Sequence, residues 1–390
     1  MEIRRVEFSE YFDSDMVSRT CFHERFTGDE AEERAKPRAE REDWGAFNED
    51  GALMAHIINN HFEARLNGKW VSMGGVGAVS TLPEYRNSGA IRQVFRRMLP
   101  ECVRRGEVIS ALYPFKHSFY RKFGYETVAN RNIFEFRPAA LRAFRFGGKA
   151  KQFERGQDVG EYLRIHERFI QNYNLTVRRD VQTMQRRFLL DQPLSERKFA
   201  YLLSQNGENT AYVCFTDQRH DPAARLIVTD LAWTEPAGLG AILGFLARFE
   251  ADYGAIELPL PTDVNLRLLV PDAYEIEEAK LTGSYMLRVI DVPKALETLC
   301  ACVREGFSLS VYGDGMIPEN NGAWFVDESG VKPFGGQADI EVSLCALNQL
   351  ICGAVDFNNA LFRPDVRVNA KGAVLENVFR ARPAFLTDHF

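Results

Sequence analysis

The stretch that decides the fold covers residues 73–126, beginning MGGVGAVSTLPEYRNSGAIRQVFRRM and ending SFYRKFGYE. Small and β-branched residues at 76–81 predict a strand. Pro83 ends that strand, because proline has no N–H to donate to a continuing ladder. Directly after the loop at 86–89, apolar residues recur at the three- and four-residue spacing of one helix face. This spacing predicts a helix whose buried side carries Ile91, Val94, Phe95, Met98 and Leu99.

The start of this helix is suited to an anionic ligand. Gly89 lets the backbone approach a ligand without a Cβ in the way. The first amides of a helix have no intrahelical partner and carry partial positive charge, so they can bind a phosphate. Strand, loop and helix together can therefore hold a pyrophosphate. The alternative is an ordinary strand–helix turn.

The spacing of the same residues favours a pyrophosphate site over an ordinary strand–helix turn. VSTLPEYRNSGAI, residues 79–91, resembles the acyl-CoA-binding signature of the GCN5-related N-acetyltransferases, which is a strand, Pro, Arg-x-x-Gly-x-Gly/Ala and a helix. FYRKFGYE, residues 119–126, resembles the tyrosine-bearing end of that fold. Ile91 departs from the family pattern, in which glycine or alanine is usual.

Composition sets broad limits on the function. A chain of 390 residues is expected to form two or three domains. The net charge of −6 is not the excess of positive charge typical of nucleic-acid-binding proteins, and it slightly favours a basic partner. No apolar run reaches the roughly 18 residues of a membrane span, and the N-terminal MEIRRVEF lacks the apolar segment of a signal peptide. Seven cysteines without Cys-x-x-Cys spacing predict free thiols and a cytoplasmic protein.

The alternation of elements predicts an α/β chain with mixed sheets in three domains. The first, residues 1–148, is expected to be a mixed sheet with helices on its faces. The second, 149–289, repeats this alternation without an Arg-x-x-Gly loop, so we expect a copy of the fold without cofactor. The third, 290–390, reads as a small α+β domain with a helix from Pro383 onward. No grouping of His, Cys, Asp and Glu has metal-site spacing, and the seven scattered histidines are predicted to be structural or surface residues.

The whole-chain pattern resembles the Eis (enhanced intracellular survival) family of acetyltransferases. The resemblance rests on the loop, the second domain without it, the junction VIDVPKALE at 289–297 and the terminal aromatic residue. It implies tandem acetyltransferase domains followed by a sterol-carrier-protein-like domain, a homo-hexamer, and acetylation of several amines of aminoglycosides. It also implies that the chain terminus enters the active site of the first domain.

The resemblance assigns roles to particular residues. Tyr120 matches the general acid, and Phe390 matches the residue whose terminal carboxylate is the base. His389 stands where some members have an acidic residue, which bears on substrate preference. The residues expected to bind acetyl-CoA are Val79, Ser80, Thr81, Arg86, Asn87, Ser88, Gly89, Ala90 and Ile91.

This assignment gives a consistent chemistry. An ammonium must lose a proton before its nitrogen can attack a thioester, and the Phe390 carboxylate would take that proton through water. Tyr120 would donate to the departing thiolate, and a backbone N–H at Val79 or Ser80 would polarise the thioester carbonyl. No metal is required. The charged stretch at 29–43 suits any cationic acceptor, so a protein lysine or a polyamine remains an alternative to an aminoglycoside. A lipid- or small-molecule-binding carrier is the alternative from another class.

Overall fold

The computed structural model describes residues 1–23, 41–154, 156–188, 198–218 and 224–388. The chain forms two compact units, and both are built from segments that are distant in sequence. The first unit contains residues 1–128 and 285–382, and the second contains residues 129–284 and 383–388. Within the described ranges, no helix is long and apolar enough to cross a membrane.

The N-terminal part of the first unit is a mixed sheet with helices. Its elements are β1 (Glu2–Arg5), α1 (Tyr11–Phe22), β2 (Arg41–Phe47), β3 (Leu53–Leu66), β4 (Lys69–Thr81), α2 (Ala90–Arg105), β5 (Ile109–Leu112), α3 (His117–Tyr120) and the start of β6 (Glu126–Phe136). The strands lie in the order β1-β2-β3-β4-β5. Only the β4–β5 pair is parallel, because α2 crosses over between them, and the other neighbours are antiparallel.

Helix α2 confirms the predicted apolar face. Its side chains at the i, i+3, i+4 spacing are buried in one cluster with residues of β2, β3 and β4. The helix ends at Gly106, whose φ of 85° is the left-handed conformation that glycine adopts at helix C-termini. The loop before α2 and the strand before the loop are thereby fixed against a common core.

The second unit repeats the alternation of the first. Its elements after β6 are β7 (Lys149–Gln152), α4 (Gly160–Ile170), α5 (Val181–Phe188), β8 (Lys198–Gln205), β9 (Glu208–Gln218), β10 (Arg225–Trp233), α6 (Pro236–Leu246), β11 (Ala255–Leu260) and the first part of β12 (Ile276–Val289), whose last five residues belong to the first unit. The strand order is β6-β11-β10-β9-β8-β7. As in the first unit, one pair, β10–β11, is parallel and is connected through a helix. The mixed α/β fold class is confirmed for both units.

The C-terminal part of the first unit forms a second, smaller sheet. Its elements are α7 (Val292–Glu297), β13 (Phe307–Tyr312), β14 (Gly322–Asp327), β15 (Gly330–Pro333), β16 (Ile340–Ser343), α8 (Leu344–Ile351), α9 (Phe357–Ala360), β17 (Val366–Val368) and α10 (Gly372–Val378). The strand order is β15-β14-β13-β16-β17. Arg288, at the end of β12, joins this region to the N-terminal part: it donates to Asp314 at 2.6 Å and to the Phe123 carbonyl at 2.6 Å.

The helix predicted from Pro383 onward is wrong. Residues 383–388 contain no helix, and Ala384 instead forms a parallel bridge with Asn174. The Asn174 N–H donates to the Pro383 carbonyl at 2.9 Å, and Phe385 packs edge-on against Phe169. The segment is extended because its backbone pairs with Asn174 and its side chains form hydrogen bonds inside the second unit. The division into 1–148, 149–289 and 290–390 stays a prediction.

Candidate functional site

Strand β4 leaves the pairing with β5 before it ends. Its residues 73–76 pair with β5, whereas Gly77, Ser80 and Thr81 pair only with β3 among the described strands. An unpaired strand edge presents free N–H and C=O groups, to which an extended ligand can add hydrogen bonds. Val79 and Thr81, predicted to bind the cofactor through their backbone, lie in this open part of the strand.

A β-bulge lies within the open part of β4. The register with β3 shifts between the pairs His56–Ser80 and Ile58–Gly77, and Ala78 has a φ of 49°. A bulge inserts an extra residue, which bends the strand and turns its backbone groups out of the regular ladder. Val79 lies at this bulge and has no partner in the register with β3.

The loop before α2 is exposed and open to a ligand. Arg86, Asn87, Ser88 and Gly89 are exposed, and Gly89 has a φ of 81°. A Cβ built on Gly89 would meet no atom within 4 Å, so the space beside it is free. The Ala90 N–H donates to the Ser88 hydroxyl at 3.3 Å. This geometry leaves room for a phosphate at the helix start.

The structure explains why isoleucine can stand at position 91, where the GCN5-related family usually has glycine or alanine. Its side chain is buried in the core cluster that contains the apolar face of α2. Only the backbone of Ile91 is therefore placed to contact a ligand at the helix start. Val79 packs against the same cluster, so the open strand and the first turn of α2 share one core.

Tyr120, at the end of α3, belongs to that core as well. It is 2% exposed and packs edge-on against Phe115 and Phe119. Its hydroxyl forms no hydrogen bond with the described residues, whereas the neighbouring Tyr125 hydroxyl is bonded to Ser110 at 2.8 Å. Burial raises the pKa of Tyr120 well above its usual range. The phenol therefore keeps its proton at neutral pH and can donate it.

The structure does not bring together every predicted site residue. The nine predicted cofactor residues and Tyr120 lie in the N-terminal part of the first unit. Phe390 and His389 lie outside the described residues. So does the charged stretch at 29–43, except for its last three positions, and of these Asp43 is buried.

A buried polar cluster under α1 was missed by the sequence analysis. Asp43 of β2, His56 of β3 and Ser18 of α1 are joined by hydrogen bonds. The available signal was the alternation of β3, which places His56 on the opposite face from the apolar Ala55 and Ile57. The predicted structural role of the histidines gave no reason to follow it.

Two segments of the chain match known protein families. Residues 2–128 match the model of a family described as an acetyltransferase (GNAT) domain. Residues 175–289 match a second family with the same description. The chain is a GNAT-type acetyltransferase. GNAT enzymes take their acetyl group from acetyl-CoA, and the open strand and the free helix start of this acetyltransferase suit that molecule.

Solved structures share the fold of this acetyltransferase over its whole length. A conserved protein from Enterococcus faecalis V583, described as a probable N-acyltransferase, has a TM-score of 0.86 at 19% identity, covering 100% of this chain and 99% of its own. A GCN5-related N-acetyltransferase from Anabaena variabilis has a TM-score of 0.85 at 19% identity, and the match covers 100% of both chains. Eis1 from Mycobacterium abscessus has a TM-score of 0.81 at 21% identity, and this match also covers 100% of both chains. No curated protein matches the sequence.

These comparisons confirm the coarser predictions. The chain has tandem GNAT domains on mixed α/β sheets and shares its fold with an Eis protein. The sterol-carrier-like third domain, the hexamer, the cytoplasmic location and the acceptor stay predictions.

Proposed function

We propose that this acetyltransferase transfers the acetyl group of acetyl-CoA to primary amines of a cationic acceptor, such as an aminoglycoside. The observation that carries the proposal is Tyr120, whose ring is buried in the core beside the open strand and whose hydroxyl forms no hydrogen bond with the described residues. A role as donor to the departing CoA thiolate is consistent with a hydroxyl that has no partner among the described residues.

Acetyl-CoA binds along the open part of β4 and at the start of α2. In this proposal the backbone of Val79 and Thr81 pairs with the pantetheine arm, and the loop from Arg86 to Ile91 surrounds the pyrophosphate. The N–H of Val79 or Ser80 polarises the thioester carbonyl. The exposed loop and the bulge at Ala78 support this arrangement.

The reaction proceeds by direct attack of the amine nitrogen on the thioester carbon. The terminal carboxylate of Phe390 assists, through water, the removal of the ammonium proton. The nitrogen forms a bond to the acetyl carbon, the C–S bond breaks, and Tyr120 protonates the sulfur. No acyl-enzyme and no metal take part in this scheme.

The acceptor is the least constrained part of the proposal. The fold shared with Eis1 supports an Eis-type enzyme, for which the sequence resemblance implies aminoglycosides, a hexamer, a cytoplasmic location and a sterol-carrier-like domain at 290–390. A protein lysine or a polyamine is the alternative acceptor. A lipid carrier is disfavoured by the GNAT domain at residues 2–128.

The test is thiol release from acetyl-CoA with aminoglycosides, polyamines and a lysine peptide as acceptors. We expect amine-dependent turnover that collapses in Tyr120→Phe and in a chain lacking Phe390, while both variants still bind CoA. Activity unchanged by the truncation would remove the terminal carboxylate from the mechanism. CoA binding without turnover on any amine would contradict the proposed reaction, and co-purified lipid would favour the carrier.

A further inference from the structure

A cavity of about 90 Å³ lies inside the first unit, where its N-terminal part meets its C-terminal part. One wall is the turn at 121–124, which directly follows the proposed general acid in the sequence. The other walls are Arg288 of β12, the loop that contains Gly313 and Gly315, and the start of α8 at 343–345. One water molecule needs about 10–15 Å³ of such space, so the cavity has room for a small ligand of several atoms.

The charged side chains in the described lining of this cavity are all cations, namely Arg121, Lys122 and Arg288. Arg121 is paired with Glu126, and Arg288 is paired with Asp314, so carboxylates outside the lining balance two of the three charges. Lys122 is exposed and has no ion-pair partner in the described part of the chain. The cavity therefore carries the unbalanced positive charge of one lysine.

The start of α8 adds partial positive charge to the same wall. The Ser343 hydroxyl accepts a hydrogen bond from the Ala346 N–H at 3.1 Å and so caps the helix. Leu344 and Cys345 are the first two residues of the helix, and both line the cavity. The amides at these positions have no intrahelical partner. Free amides at a helix start are suited to binding an anion.

The thiol and the glycine loop of the lining are compatible with an anion. Burial, followed by the charge of Glu126, raises the pKa of Cys345 to about 11, so this thiol is neutral at neutral pH. A Cβ built on Gly313 or Gly315 would meet no atom within 4 Å. A ligand can therefore approach the backbone of the loop closely.

Arg288 provides separate evidence for a ligand. Its side chain is 1% exposed. Nη1 donates to the Phe123 carbonyl, and Nη2 donates to both carboxylate oxygens of Asp314, each at 2.6 Å. Its buried Nε has no hydrogen-bond partner among the described residues. A buried donor without an acceptor is costly to a folded protein, and a ligand oxygen in the cavity that Arg288 lines would supply an acceptor.

We propose that this cavity binds one phosphate group, either as the free anion or as the end of a phosphomonoester. The phosphate oxygens accept from the first amides of α8 and from Nε of Arg288, and Lys122 balances the charge. Phosphate has several acceptor oxygens, as donors from different chain segments require. The site is separate from the proposed pyrophosphate position at Gly89, and the inference does not depend on acetyl transfer.

The experiment is a calorimetric titration of the full chain with inorganic phosphate at constant ionic strength. Saturating CoA is present, because it occupies the start of α2, where phosphate would otherwise compete. Lys122→Ala removes the unbalanced charge, and Gly315→Val fills the cavity. The matched controls are Lys332→Ala, at an exposed lysine of β15, and Gly335→Val, where a Cβ also meets no atom within 4 Å.

We expect wild type to bind one phosphate per chain. Lys122→Ala should raise the Kd about tenfold, Gly315→Val should abolish binding, and both controls should keep the wild-type Kd. Phosphate should slow hydrogen exchange of the amides at 344–345 in wild type but not in Gly315→Val. A parallel titration with glycerol 3-phosphate distinguishes the two sources, because a phosphomonoester that binds more tightly than the free anion identifies the esterified form.

Several outcomes would overturn the inference. Wild type without saturable phosphate binding would show that the cavity holds solvent only. An unchanged Kd in both Lys122→Ala and Gly315→Val, or equal weakening in the controls, would contradict the location. Lys122 is exposed, so its variant decides the question if Gly315→Val does not fold. A chain that binds phosphate at this cavity but no CoA would contradict the proposed function and leave this inference in place.

Discussion

Arg179 and Asp388 are 209 positions apart in the sequence and are joined by two hydrogen bonds in the interior of the second unit. Nε of Arg179 donates to Oδ1 of Asp388 at 2.8 Å, and Nη2 donates to Oδ2 at 3.0 Å. The same guanidinium donates to Asp230 at 2.7 Å, and Asp230 accepts from the Thr387 hydroxyl at 2.7 Å. One fully buried cation thus binds the segment at 383–388 to the sheet of this unit.

Replacing Asp388 should destabilise the second unit. Asp388→Ala removes one of the two carboxylates that balance the buried Arg179. Loss of one partner of a buried ion pair costs about 3–5 kcal/mol. We expect the free energy of unfolding to fall by an amount near the lower end of this range, because Asp230 still balances the charge of Arg179. Hydrogen exchange of amides in 160–188 under native conditions measures it.

The control for this change is an ion pair on the surface of the same unit. Glu250 is paired with the exposed Arg142, so Glu250→Ala should leave the same amides unchanged. Exchange in Asp388→Ala that matches wild type would show that the segment at 383–388 contributes little to stability.

The stability of the second unit should fall as the pH is lowered below neutral. Burial and the nearby Arg179 charge lower the pKa of His166 to about 4. An unfolded histidine has a pKa of about 6.5, so between these values the unfolded state binds more protons. The stabilisation is complete above about pH 6.5 and is lost as the pH falls toward 4. We expect a loss of about 2 kcal/mol between about pH 7.5 and pH 5.

Urea denaturation at several pH values, followed by hydrogen exchange of α4, checks this dependence. His166→Gln lacks the titrating group and should show a flatter profile over the same window. A steep profile that persists in His166→Gln would assign the effect to another group. The buried carboxylates act at lower pH, because the pKa of Asp388 lies below its usual range.

Tyr120→Phe should lower kcat by about 10²-fold or more, with little change in the KM for acetyl-CoA. Because burial raises the pKa of Tyr120, its proton is retained at alkaline pH, and the wild-type rate should not fall near the usual pKa of a phenol. Tyr125→Phe is the matched control: it removes a buried hydroxyl bonded to Ser110 from the same core. Steady-state rates measured across a range of pH test this prediction. Equal losses of kcat in both variants would count against the role of Tyr120.

Gly89→Ala should weaken CoA binding more than it weakens the fold. The residue has a φ of 81°, so alanine costs about 1–2 kcal/mol of backbone strain. Its Cβ would also occupy the free space in which the proposed pyrophosphate lies, and we expect the Kd for CoA to rise about tenfold or more.

Gly106→Ala separates the two effects. Gly106 has a φ of 85° at the other end of α2, and a Cβ there also meets no atom within 4 Å. It should show the same loss of thermal stability with an unchanged Kd by calorimetry. Equal Kd values for the two variants would contradict phosphate binding at Gly89.

Local patterns in the sequence predicted the strand, the loop and helix α2. The 3.6-residue period of α2 and the stop at Pro83 are properties of short segments, and the structure confirms both. Tyr120 was found by its neighbours in the sequence. That its hydroxyl has no hydrogen-bond partner among the described residues was not predicted, because this depends on groups brought near by the fold.

Pairings between distant segments escaped the sequence analysis. The Ser18–His56–Asp43 cluster needs a helix and two strands to meet, and no spacing in the sequence encodes that meeting. Likewise, the pattern after Pro383 predicted a helix because nothing local shows that Arg179 binds this segment. Both misses concern buried polar groups, whose partners are set by tertiary structure.

The placement of the C-terminal residues also affects how the protein is made. Synthesis delivers the chain from its N-terminus, and domains generally fold as they emerge. Here the first unit awaits residues 285–382, and the second awaits residues 383–388. Until Asp388 leaves the ribosome, the nascent second unit holds the positive charge of Arg179 without one of its two carboxylates. A chain cut short before residue 383 would therefore leave that unit without its last segment, although residues 129–284 had all been translated.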